Sequence, residues 1–157
     1  MPDPLADDLL DRLSRIVALA AAIEREPVEI GDGCRLSASE VHLIDGAGRF
    51  PGAGLSEHAA RLGVTKGALT QMVGRLEEKG CLVRVRDAED RRAARLALTE
   101  TGRRAFDWHR SLHDRIGGEF EVALDGMPPE ERERLVGLFA RIEAMLAASV
   151  DRRGEIK

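Results

Sequence analysis

Four histidines, two cysteines and a cluster of arginines are the side chains of this 157-residue chain best suited to do chemistry. His109 and His113 stand one helical turn apart, and at ~100° per residue they fall within the apolar stripe of Phe106, Leu112, Ile116 and Phe120. Two imidazoles at that spacing can share a metal ion. The interval Arg110, Ser111, Leu112 lacks the glutamate of a catalytic zinc helix. The plainer alternative is a pair of core histidines whose ring nitrogens find protein partners, since each orphan would cost ~1–3 kcal/mol. Cys81 follows Gly80 where a small apolar residue is wanted, and reads as buried and inert. Cys34 lies in a polar loop with no resolving cysteine evident, and is the weaker candidate for a redox sensor. His58, beside Ser56, Glu57 and Ala59, reads as a solvated surface residue, and Trp108 as a packing or half-exposed ring. No nucleophile–base pair, phosphate loop or oxyanion motif points to an enzyme.

The elements that must position these residues are mostly helices. Residues 5–25 place Leu5, Leu9, Leu13, Ile16, Val17, Ala20 and Ile23 on one face, and Pro27 ends that helix. Residues 27–36 read as a loop. Ser37 and Glu40 form a capping box that opens a short helix through Ile44, and 46–54 reads as a second loop. Ser56 to Leu62 is a further short helix, and Gly63 supplies a turn before Thr65 caps the next one. In that helix Leu69, Met72, Val73 and Leu76 face inward. Thr65, Lys66, Thr70, Gln71 and Arg75 face outward. Two alternating runs, Leu82 to Arg86 and Arg95 to Leu98, flank a charged turn and predict a β-hairpin. A polar-faced helix followed by an arginine-tipped hairpin is the layout of a winged helix-turn-helix, in which the helix enters the major groove of DNA and the hairpin reaches the minor groove. A long helix from Thr99 to about Leu124 and a last one from Pro129 to about Ala148 complete the chain.

The run LEEKGCLVRVRDAEDRRAARLALTETG resembles the wing signature of the MarR family of bacterial transcription regulators. The matching positions are Leu76, Lys79 and Gly80, then Asp87, Asp90 and Arg92, then Leu98, Thr99 and Gly102, within a similarity covering roughly residues 36–146. The resemblance implies a mainly α winged helix-turn-helix with N- and C-terminal dimerisation helices, binding a palindromic operator in double-stranded DNA as a homodimeric repressor. It assigns the minor groove to Arg92, oriented by Asp90, with Arg91 on phosphate. Gln71 has the geometry to read adenine, and Arg75 guanine or phosphate. A narrower resemblance, to zinc-responsive members, matches Glu24, His42, His109 and His113 to a regulatory metal site. The second, weaker site of those members uses a cysteine before the second helix, for which Cys34 is the candidate. Its other ligand adjoins the histidine, where this chain has Val41, with Glu40 one residue away. Zinc, or a similar divalent metal, is therefore one expected effector. A phenolic or other small organic effector, or thiol oxidation, is the alternative.

Composition fits this reading. The net charge is −4, but residues 61–104 carry 11 Lys/Arg against 6 Asp/Glu, a local +5 that leaves −9 on the rest. A basic module on an acidic body directs nucleic acid to one surface. No apolar run approaches the ~18 residues of a membrane span, and the N-terminus has no signal-peptide pattern, so no membrane association and a cytoplasmic location are expected. The expected organisation is a dimerisation helix and loop over 1–36, a DNA-binding module over 37–102 and the long and C-terminal helices over 103–157, one structural domain in all.

Overall fold

The computed structural model describes residues 3–31, 33–86 and 94–154. Its elements run α1 (Pro4–Arg25), β1 (Val28–Glu29), β2 (Arg35–Leu36), α2 (Ala38–Arg49), α3 (Leu55–Arg61), α4 (Lys66–Glu78), β3 (Leu82–Arg86), β4 (Ala94–Leu98), α5 (Glu100–Leu124) and α6 (Pro129–Gly154). The fold is mainly helical, as the periodicity predicts, and the chain divides into two compact units, Met1–Leu112 and His113–Lys157.

In the first unit, Leu43 and Ile44 of α2, Leu69, Val73 and Leu76 of α4, and Leu82 and Leu96 of the hairpin are sealed from solvent together with Leu36. Strands β3 and β4 pair antiparallel with Leu82 opposite Leu98 and Arg86 opposite Ala94. Gly54, the N-cap of α3, adds one antiparallel bridge to Arg95. The junctions explain the sequence signature in physical terms. At the end of α4, Gly80 adopts φ 66° and its N–H donates to the Glu77 carbonyl, while the Cys81 N–H donates to the Leu76 carbonyl at 2.8 Å. That is a Schellman cap, which requires a residue free of Cβ strain at Gly80 and buries the residues at its two ends. Thr99 then accepts from the Gly102 N–H at 3.1 Å and opens α5. A Cβ on Gly102 would lie 1.9 Å from the Cys81 carbonyl oxygen, so this contact excludes any other residue.

Three local expectations need correction. Residues 27–36 are not only loop, because Val28–Glu29 and Arg35–Leu36 pair as a minimal antiparallel hairpin. The loop expected from residue 46 begins later, since α2 continues to Arg49 with Phe50 as its C-cap. Gly46 and Gly48 lie inside that helix because neighbours approach closely: a Cβ on Gly48 would sit 2.5 Å from the Phe106 ring. His58 is buried rather than solvated.

In the second unit, α5 continues from His113 to Leu124, Gly126 turns the chain at φ 75°, and Pro129 starts α6. Ile116, Phe120, Val136, Phe139, Met145 and Leu146 are exposed. No helix among the described residues is long and apolar enough to cross a membrane.

Candidate nucleic-acid interface and metal-ligand cluster

Helix α4 presents two chemically different faces. Leu69, Met72, Val73 and Leu76 are buried, while Thr65, Lys66, Thr70, Gln71 and Arg75 are all exposed on the opposite side. Thr65 caps the helix, its hydroxyl accepting from the Ala68 N–H at 3.2 Å. The Thr70 hydroxyl donates to the Lys66 carbonyl at 2.8 Å, leaving its lone pairs outward. From β3, Arg84 bonds Glu77 at 3.2 Å and reaches the Thr70 carbonyl at 3.5 Å, bracing the wing against the helix. The wing residues Asp87, Asp90, Arg91 and Arg92 lie outside the described residues.

Behind this face sits Glu40, which the sequence placed in a capping box and one residue from a candidate metal-ligand position, but not in an ion-pair cluster. Both halves of the capping box form, with the Ser37 N–H donating to Glu40 at 2.9 Å. The same carboxylate is 3% exposed, receives the Lys79 ammonium at 2.7 Å and lies 3.6 Å from the Arg75 guanidinium. Lys79 also donates to the Arg35 carbonyl at 2.8 Å. Burial alone would raise the Glu40 pKa, but Lys79 and the Ser37 donors outweigh it and hold the carboxyl below its ordinary value. The carboxylate therefore stays charged and ties α2 to the end of α4. Its signal in the sequence was double: the S-x-x-E box and a lysine directly before Gly80.

Three of the expected metal ligands border the same pocket. Glu24, His42 and His109 line one pocket of about 100 Å³ with Val41, Trp108 and Leu112. The His42 and His109 ring centroids are 5.6 Å apart, and Trp108 stacks beside His109 at 6.5 Å. His109 is buried, whereas Glu24 and His42 are exposed at the rim. Among the described residues, no three His, Cys, Asp or Glu side chains come together closely enough to hold a metal ion. His113 belongs to the second unit and is exposed, contrary to the inward placement expected from its stripe. Cys34 does not line the pocket. Its sulfur lies 3.6 Å from that of Cys81, a neighbouring thiol that was not evident in the sequence.

His58 is the remaining buried histidine. Its Nε2 has no hydrogen-bond partner, and Nδ1 would be 3.4 Å from a Cβ on Gly46. Burial lowers its pKa, with the Glu57 charge opposing and Arg61 assisting that shift. Arg61 itself pairs with Glu57 at 2.9 Å and covers the Phe50 ring at 3.7 Å.

A helical lobe with this capped recognition helix and paired wing defines a winged helix-turn-helix protein. Residues 48–93 match the family model described as MarR family. The chain is 28% identical to FabT of Streptococcus pneumoniae, solved in complex with DNA, with TM-score 0.68 and coverage of 91% of this chain and 95% of that one. It shares its fold with ZitR, a zinc-responsive MarR family member of Lactococcus lactis, at 17% identity, TM-score 0.70 and coverage of 90% and 99%. It also shares the fold of the zinc-dependent MarR family transcriptional regulator AdcR in its Zn(II)-bound state, at 21% identity, TM-score 0.69 and coverage of 92% and 99%. These likenesses give the chain the winged helix-turn-helix fold of the MarR-type regulators to which it is similar.

Proposed function

We propose that this chain acts in the cytoplasm as a homodimeric repressor on a palindromic operator, and that zinc or a similar divalent metal is its effector. The observation that carries the DNA reading is the polar, exposed face of α4 on a lobe like that of a relative solved with DNA. Lys66 serves phosphate, Gln71 reads adenine, and Arg75 serves guanine or phosphate from its position over Glu40. Arg92, oriented by Asp90, serves the minor groove, with Arg91 on phosphate. The homodimer is supported by the apolar faces that α1 and α6 leave exposed. Selection from random duplexes should recover a palindrome, and Gln71→Ala should cost ~1–3 kcal/mol and relax base preference at one position of each half-site. Equal affinity for every duplex would remove this reading.

The metal reading rests on the pocket lined by Glu24, His42 and His109; that His113 adds a fourth ligand is implied by the resemblance to zinc-responsive members. Two imidazoles on one tetrahedral zinc place their ring centroids roughly 5 Å apart, and the observed 5.6 Å agrees with that. A pocket of about 100 Å³ suits an ion; sites for organic ligands are usually ~300 Å³ or more. Zinc would supply Lewis-acid binding of two imidazoles and a carboxylate. The protein's part would be to draw the Glu24 carboxylate of α1 and the imidazoles of α2 and α5 together around the ion. Coupling of this kind is typically ~1–3 kcal/mol, a roughly 5- to 150-fold change in operator affinity. Zinc titration followed by Trp108 fluorescence and duplex affinity tests it. His109→Ala should lose both responses. Unchanged zinc affinity in that variant, or a wild-type operator affinity indifferent to zinc, would transfer the effector role to an organic ligand.

A further inference from the structure

The chain's two cysteines are 47 positions apart in sequence, yet their sulfurs approach to 3.6 Å in the same compact unit. We propose that Cys34 and Cys81 form a reversible intrachain disulfide when a hydroperoxide oxidises the protein, and that this bond resets the C-terminal end of α4. The consequence for DNA rests on the operator-binding reading above; the bond itself does not.

The two thiols have unequal roles. Cys34 is half-buried and Cys81 is fully buried, so a small oxidant meets Cys34 first. Burial, and then the contact with Cys34, push the Cys81 thiol up to about 12, which suits a resolving thiol and not an attacking thiolate. The Cys34 thiolate attacks one peroxide oxygen, the O–O bond breaks, and the alcohol or water leaves with a proton, giving a sulfenic acid. The Cys81 sulfur then attacks the Cys34 sulfur. Its S–O bond breaks, and hydroxide leaves as water with the Cys81 proton. Two thiols are oxidised by two electrons in all, and the peroxide is reduced. Among the described residues no third ligating side chain joins the pair, which leaves thiol chemistry rather than metal binding.

A disulfide needs sulfurs about 2.05 Å apart, so ~1.5 Å must be closed. Cys81 is held on three sides: its N–H donates to Leu76, its carbonyl accepts from Thr99, and Gly102 packs against that carbonyl. Cys34 is held only within its own turn, its N–H donating to the Gly31 carbonyl at 2.9 Å and its carbonyl accepting from the Ile30 N–H at 2.8 Å, so the turn can shift as one piece. Cys34 sits in the turn of a hairpin only two residue pairs long, between positive-φ glycines at Gly31 and Gly33 and the strand of Arg35. Moving that turn moves the Arg35 carbonyl to which Lys79 donates, and Lys79 shares Glu40 with Arg75 on the exposed face of α4. The thiol state is thus wired to a side chain placed for DNA.

The test uses the full chain, first reduced, then treated with hydrogen peroxide, then returned with dithiothreitol. Peptide mapping without reduction should show the segments holding Cys34 and Cys81 joined within one chain, with a mass loss of two hydrogens that dithiothreitol reverses. Operator affinity should change by ~5-fold or more on oxidation and stay constant in Cys34→Ser. Cys34→Ser alters the half-buried position, so the test stands even where Cys81→Ser fails to fold. Free thiols at both positions after peroxide, a bond between two chains, or Cys34 driven to sulfinic acid beside an intact Cys81 would each overturn the proposal. So would the expected bond forming with unchanged hydrogen exchange in α4. Reduced protein that selects no duplex would instead remove the operator reading, and the linkage and exchange results would still decide the bond.

Discussion

In the winged lobe, Leu36, Leu43, Leu69, Leu76 and Leu96 are sealed at 0–2% exposure, whereas α1 has no buried residue along 22 positions. Helix α6 is similar, for none of its described side chains is buried. Both regions carry apolar stripes at helical spacing and sound helix starts, Thr65 capping α4, Asp3 capping α1 and Pro129 standing as the first residue of α6. Local signals therefore make a helix in either place. What differs is the source of burial. The lobe finds it among its own α2, α4 and hairpin. The terminal helices present Leu9, Ile16, Ile23, Val136 and Phe139 outward, the pattern of surfaces whose core is completed by association. The lobe should thus behave as a self-sufficient folding unit, and the terminal helices as association elements.

The sharpest way to break that contrast is at Gly102. Gly102→Val forces carbon against the Cys81 carbonyl, which is backbone and cannot yield cheaply. A loss of at least ~3 kcal/mol is expected in urea unfolding, together with loss of duplex binding. A smaller effect is expected at Ile16, 60% exposed on α1. Ile16→Ala should weaken self-association by roughly 2 kcal/mol per dimer while changing lobe unfolding by less than ~0.5 kcal/mol. Sedimentation equilibrium and urea titration together separate the two. If lobe stability fell with association, the two regions would be one cooperative unit.

The smallest effect is a pH dependence belonging to the lobe alone. His58 has a folded-state pKa lowered from 6.5. Its contribution is complete above the unfolded value and is lost as pH falls from about 6.5 through the folded pKa. His58→Leu should flatten that segment of the stability curve, at little cost, because Nε2 has no partner to lose. An unchanged slope between wild type and variant would place the proton elsewhere.

Readings tied to local backbone demands carried through. Gly80 and Thr99 are legible because a Schellman cap and a helix N-terminus require particular residues at particular offsets. The inner and outer faces of α4 follow from periodicity. The missed features all depend on distant neighbours. His58 has polar sequence neighbours, and its burial comes with the approach of Gly46 from α2. Gly46 and Gly48 look like loop residues because glycine signals a turn by composition. Here Gly48 instead makes room for Phe106, 58 residues later in the chain. Two-residue strands are too short to alternate, so β1 and β2 leave no pattern. Of the metal-ligand set, helical spacing suggested only His109 and His113. The approach of Glu24 and His42 to His109 required the tertiary fold, and the resemblance to a family stood in for it. His113 shows the limit of stripe analysis: the stripe is present, but the surface that would cover it is not supplied by the described part of its own unit.

Lys79 and Arg75 over Glu40, Arg84 on Glu77 and Arg61 on Glu57 share a consequence for how the lobe would meet a polyanion. These four cations lie against three carboxylates fixed to the same protein, Lys79 and Arg75 sharing the one charge of Glu40, so most of their charge is already offset. When a cation passes from such a partner to a phosphate, one neutral pairing replaces another. The ions condensed along the duplex are then displaced against a carboxylate that recruits sodium or potassium of its own. The logarithm of affinity against the logarithm of salt falls by about 0.9 for each phosphate neutralised by an otherwise uncompensated charge. The lobe's 11 basic residues between 61 and 104 should therefore give a slope well below what that number suggests, and binding that stays comparatively firm as ionic strength rises.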